Sequence, residues 1–129
     1  MKIAVASTDF LKVSGHAGQA RKWVVFNTVE GAAPVEAQRI DLPPELVFHV
    51  FRDSQGPHPL DGVGVLIFQT AGEGFVKRMG KKGIQLAPTS ERSVVRAAAD
   101  FVSGTLKPPR PPGLMSLLCK VRDLFSDHT

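Results

Sequence analysis

This chain of 129 residues has no tyrosine, one tryptophan and one cysteine. A lone cysteine cannot close an internal disulfide, so the reducing cytoplasm is the expected compartment. Without Tyr, and with a single Trp, the chain offers little aromatic surface beside its basic residues on which bases could stack. The formal net charge of +4 therefore does not point to nucleic acid by itself; the densest basic group, Lys77, Arg78, Lys81 and Lys82, reads as the solvated side of a helix. No apolar run approaches the roughly 20 residues that a bilayer-spanning helix needs. The first residues, Met-Lys-Ile-Ala-Val-Ala-Ser, are too short and too β-branched for a signal peptide. Catalytic signatures are missing as well. There is no Gly-x-Ser-x-Gly, no P-loop and no paired Cys/His spacing. Asp9 follows the first strand, but no second carboxylate stands at the end of the 63–68 run before Glu73, so a two-metal nuclease is not expected. The expectation is a non-enzymatic protein.

What is present is an ordinary globular balance, 43% hydrophobic and 22% charged, in a length that suits one domain. The organising stretch is 61–87. Val63 to Phe68 is nearly all apolar and reads as a strand buried on both faces. Gly72 and Gly74 mark a turn, Phe75, Val76 and Met79 recur at helical spacing up to a stop at Gly83, and 84–87 reads as a further short strand. This is a βαβ unit, whose strands run parallel with a right-handed crossover. Ligands in such sheets sit beyond the carboxyl ends of the strands.

The flanking chain supplies the rest. Residues 2–7 form a first, central strand. Residues 21–29 (Trp23, Val24, Val25, Phe26) and 35–42 form two more, joined by a short Gly/Pro turn as an antiparallel hairpin. Pro43-Pro44 opens an expected helix with Leu46, Val47, Val50 and Phe51 on one face. Thr89 or Ser90 is the expected cap of a second helix with Val94, Ala97, Ala98, Phe101 and Val102 as its buried stripe and Gly104 as its stop. Four prolines within 107–113 then form a semi-rigid linker. Beyond it, Leu114, Leu117, Leu118, Val121, Leu124 and Phe125 space out an amphipathic helix carrying Cys119. The domain is expected to be 1–106, with 107–129 as linker and tail helix.

In order and spacing, three segments resemble the dinitrogenase iron–molybdenum cofactor biosynthesis family, of the NifX/NafY type. They are Lys2-Ile-Ala-Val-Ala-Ser7, Val13-Ser-Gly-His-Ala-Gly-Gln-Ala20 leading into Trp23-Val-Val-Phe26, and Asp61-Gly-Val-Gly-Val-Leu-Ile with the glycines from Gly72 to Gly83. The resemblance covers roughly residues 1–112; Ala17 stands where that family usually carries Phe. It implies an α/β, RNase H-like three-layer fold. The mixed five-stranded sheet would have the order 3-2-1-4-5, with strand 2 antiparallel and helices flanking both faces. It also implies a carrier of an iron–sulfur or iron–molybdenum cluster, or of a precursor, with nitrogenase cofactor assembly proteins as partners.

In that order strands 1 and 4 are neighbours whose chains leave in opposite directions, so the 7–18 loop and the 70–74 turn converge at a switch point. His16 is the candidate metal ligand, since an imidazole in a glycine-flanked loop can reach a cluster iron or molybdenum. Gly15 and Gly18 would let backbone N–H groups approach an anionic cluster, Gly72 and Gly74 would present a helix start to it, and Arg21, with Lys12, would neutralise its charge. Each has a plainer reading: a loop histidine bonded locally, turn glycines beside a capping Glu73, solvated cations. One cysteine cannot hold a four-thiolate cluster, so a cluster here would be carried rather than built in. The alternative function is a protein-interaction adaptor of the same fold that works through its C-terminal helix.

Overall fold

A computed structural model describes residues 1–52 and 56–109. The expected tail helix, Cys119 and most of the proline linker lie outside the described residues.

The apolar runs become strands β1 (Lys2–Ser7), β2 (Lys22–Asn27), β3 (Val35–Asp41), β4 (Val65–Phe68) and β5 (Gln85–Pro88). They form one sheet in the order β3-β2-β1-β4-β5. β2 is antiparallel to both β1 and β3, whereas β1, β4 and β5 are parallel. Order and orientations are those implied by the resemblance. Side chains alternate across β1 as strand geometry requires. Ala4 and Ala6 join Trp23, Leu66, Phe68, Phe75 and Met79 on one face, while Ile3 and Val5 join Val24, Phe26, Ile67, Val94 and Ala97 on the other. Each face is covered by one helix, α1 (Glu73–Lys81) or α2 (Val94–Ser103), giving an α/β domain of three layers.

Two glycines end the helices as the sequence suggests. Gly83 and Gly104 take φ of 77° and 76°, the left-handed conformation that any side chain would strain. The start of α2 differs from the expectation. Its cap is Ser93, whose Oγ accepts from Arg96 N at 3.2 Å. Thr89 is drawn elsewhere because its hydroxyl donates to Lys107 O at 2.6 Å.

The helix expected after Pro43 does not form. Only a 3-10 turn, Pro44–Leu46, appears, and Val47 is already extended. Val47 O still accepts from Val50 N and Phe51 N in a single turn, but three other carbonyls of the segment are taken by distant partners. Arg78 donates to Phe48 O and Phe51 O, both at 2.7 Å. His58 Nε2 donates to Leu46 O at 2.7 Å, and His49 N donates to Gly18 O at 2.7 Å. Packing of Val47, Phe48 and Phe51 into the interior overrides a periodicity that was helical only in part.

Candidate functional site at the carboxyl edge of the sheet

The switch point lies where expected, between β1 and β4, but it is stitched shut rather than open. Strand ends leave backbone groups that need partners when buried, and the 13–17 loop supplies them. Ser14 N donates to Ala6 O at 2.7 Å and Gln69 N donates to Ser14 O at 3.1 Å, so one residue bridges the two strand ends. Ala17 N donates to Thr70 O at 2.9 Å, and the Thr70 hydroxyl donates to Gly15 O. On the other side Val13 N donates to Arg92 O at 2.8 Å. The loop is thus fixed to the turns that follow β4 and β5.

His16 rides on this fixed loop with its side chain exposed. Its backbone N–H donates to Ser14 Oγ at 3.2 Å, and it precedes the short 3-10 turn Ala17–Gln19. Its ring makes no hydrogen bond among the described residues, which leaves imidazole nitrogens available to an incoming ligand. Gly15 is exposed beside it, and a Cβ there would come 3.7 Å from Gln69 Oε1. Gly18 is buried, at an ordinary φ. Gly72 is the cap of α1, Gly74 lies in its first turn, and a Cβ at either would meet open space. No positive φ demands these four glycines. Arg21 stands at the same edge but is engaged: its Nε donates to Leu42 O at 3.0 Å and its guanidinium lies 3.6 Å from Asp41.

Asp9 serves its own turn. Its Oδ1 accepts from Lys12 N at 2.8 Å and Leu11 N at 2.9 Å. These two N–H groups, Lys12 first, hold the exposed carboxyl below its ordinary range. Among the described residues no three His, Cys, Asp or Glu side chains gather where a metal could bind; His16 is an exposed imidazole at this edge, and His49, also exposed, is tied to the same loop by its N–H, which donates to Gly18 O at 2.7 Å.

The open space at the edge lies one strand further on. A depression of about 230 Å³ is lined by Gln69, Thr70, Thr89, Ser90 and Arg92, the residues that follow β4 and β5. As a group they do not stand out in the sequence, because they come from two turns some twenty positions apart and none is unusual alone. The available signal was position: each falls just past the end of a strand read as parallel.

This geometry defines a small α/β domain with its polar residues collected at the carboxyl edge of a mixed sheet. No family model and no curated protein matches the chain. Solved structures do. PH0822 superposes with a TM-score of 0.65 at 20% identity, over 84% of this chain and 94% of its own. A Methanocaldococcus jannaschii protein with a provisional dinitrogenase name gives 0.60 at 16% identity, over 87% and 97%. A Thermotoga protein with a provisional NifB name, placed in the DUF35 family, gives 0.56 at 19% identity, over 83% and 91%. At these identities the likeness is one of fold. No described helix is long and apolar enough to cross a membrane.

Proposed function

We propose that this chain is a non-enzymatic carrier of an iron–sulfur or iron–molybdenum cluster, or of a precursor, acting with nitrogenase cofactor assembly proteins. The observation that carries the reading is the exposed His16 imidazole, held on a loop that is hydrogen-bonded to the ends of both β1 and β4. The nitrogenase-related names of two structural neighbours support the same reading. With one donor from this chain, the cargo arrives with the rest of its coordination shell in place and leaves with it, which suits transfer rather than storage. Gly15, Gly72 and Gly74 leave the backbone open to close approach by a bulky anionic cluster. Arg21 contributes positive charge at this edge while it remains paired with Asp41.

The test is anaerobic titration of the full chain with an isolated cluster, followed by absorbance and by metal content after gel filtration. Wild-type protein is expected to retain metal, and His16→Ala to lose about tenfold or more in affinity. Equal retention by the two removes His16 from the site, and no retention by either overturns the carrier reading.

A further inference from the structure

We propose that the depression between the turns after β4 and β5 is a binding site for a small tetrahedral oxyanion, free or as the terminal group of a larger ligand. It is independent of His16 and of any cluster. Three of its five lining side chains carry donors with no hydrogen bond or ion pair among the described residues: the Gln69 amide, the Ser90 hydroxyl and the Arg92 guanidinium. No acidic residue lines the space. The Thr70 hydroxyl is bonded to Gly15 O but keeps its acceptor side, and Thr89 is fully buried, its hydroxyl engaged with Lys107 O. An oxyanion matches this set, because Arg offers a planar fork and the amide and hydroxyl add donors from other directions. A volume of about 230 Å³ is several times the ~30 Å³ share of one water, so it admits such an ion with part of its hydration.

The backbone that carries these donors is fixed. Thr89 N donates to Phe68 O at 2.8 Å, tying the two turns together, and the 13–14 loop bonds to Arg92 O and Gln69 N. Glu91, the one carboxylate between Ser90 and Arg92, is turned to other work. Its Oε2 accepts from Arg92 N and Ser93 N, and its Oε1 lies 3.6 Å from Lys107 Nζ. One carboxylate oxygen is thus held by two backbone N–H groups, while the other is buried without a hydrogen-bond partner among the described residues and faces Lys107.

The experiment is a titration of the isotope-labelled full chain with inorganic phosphate at constant ionic strength, read from backbone amide resonances, with chloride as control. The expected result is saturable shifts centred on Gln69, Thr70, Ser90 and Arg92, present in His16→Ala as in wild type. Arg92→Ala is expected to weaken phosphate by about ten- to a hundredfold at unchanged melting temperature. Arg92→Lys should fall between, because it keeps the charge and loses the fork. Methyl phosphate in a parallel titration separates a terminal group from a free ion; binding of either supports the site. Shifts spread over Lys77, Arg78, Lys81 and Lys82, or an Arg92→Ala titration that matches wild type, would overturn it.

Discussion

The two edges of the sheet each carry a histidine, and the two could hardly be used more differently. At the carboxyl edge His16 is exposed and its ring is unengaged among the described residues. At the amino edge His58 is 5% exposed. It stacks on Phe48 with centroids 4.6 Å apart and meets Phe51 edge-on at 4.7 Å. Both its nitrogens are occupied. Nε2 donates to Leu46 O at 2.7 Å and Nδ1 accepts from Leu60 N at 3.1 Å. It stands in the wall of a second cavity of about 230 Å³, beside Phe48, Leu60, Val63, Leu66 and Ile84. His58 is thus enclosed by rings and held by two hydrogen bonds, whereas the His16 ring has neither among the described residues. A histidine is chemically available only where its surroundings leave it unsatisfied, and the sequence letter alone does not distinguish the two cases.

The contrast predicts its own largest test. His58→Ala removes a ring from between two phenylalanines and orphans Leu46 O and Leu60 N, and is expected to cost about 2–4 kcal/mol in denaturant unfolding. His16→Ala should stay within ~0.5 kcal/mol of wild type. Comparable losses at the two positions would break the contrast between a structural and an available histidine.

A smaller effect tests the polar stitching of the carboxyl edge. Ser93 N, then Arg92 N, Lys107 and Arg96 hold the Glu91 carboxyl below its ordinary range, against burial, which pushes it up. A carboxyl lowered on folding adds stability that is fully present above its unfolded pKa and is lost as pH falls through its folded pKa. Glu91→Ala is therefore expected to cost about 1–3 kcal/mol at neutral pH. The gap between wild type and variant should be full above the ordinary Glu pKa of about 4.3 and should narrow as pH falls below it toward the lowered folded value. A gap that stays constant with pH would mean that the carboxyl acts by packing and not by charge.

The smallest effect sharpens what the carboxyl edge is for. Gly74 and Gly80 lie inside α1 with open space where a Cβ would stand. Alanine at either is expected to stabilise by about 0.5–1 kcal/mol, read from the unfolding midpoint. If close approach of cargo is the reason for Gly74, Gly74→Ala should also reduce cluster retention, whereas Gly80→Ala should leave it unchanged.

Much of the fold was legible in the sequence, because its signals are local. The apolar runs at β1 and β4, the β2–β3 hairpin and the glycine stops at Gly83 and Gly104 each follow from a few neighbouring residues. The segment after Pro43 was not legible. Leu46, Val47, Val50 and Phe51 fit a helical period, yet Arg78 and His58 take three of the carbonyls that such a helix would use. The candidate site divides in the same way. His16 between Gly15 and Gly18 could be singled out from adjacent letters. The group of Gln69, Ser90 and Arg92 exists only once β4 and β5 are parallel neighbours.

Sequence by itself determined the five strands, the two helices α1 and α2 and the glycine-flanked histidine, since propensity, periodicity and backbone freedom act over a few residues. Only the tertiary structure decided that Ser14 closes the gap between β1 and β4, that the open depression lies one strand further on, and that His58 is buried while His16 is exposed. Those outcomes depend on which distant backbone groups and rings come within bonding distance, and that is settled only when the whole chain has packed.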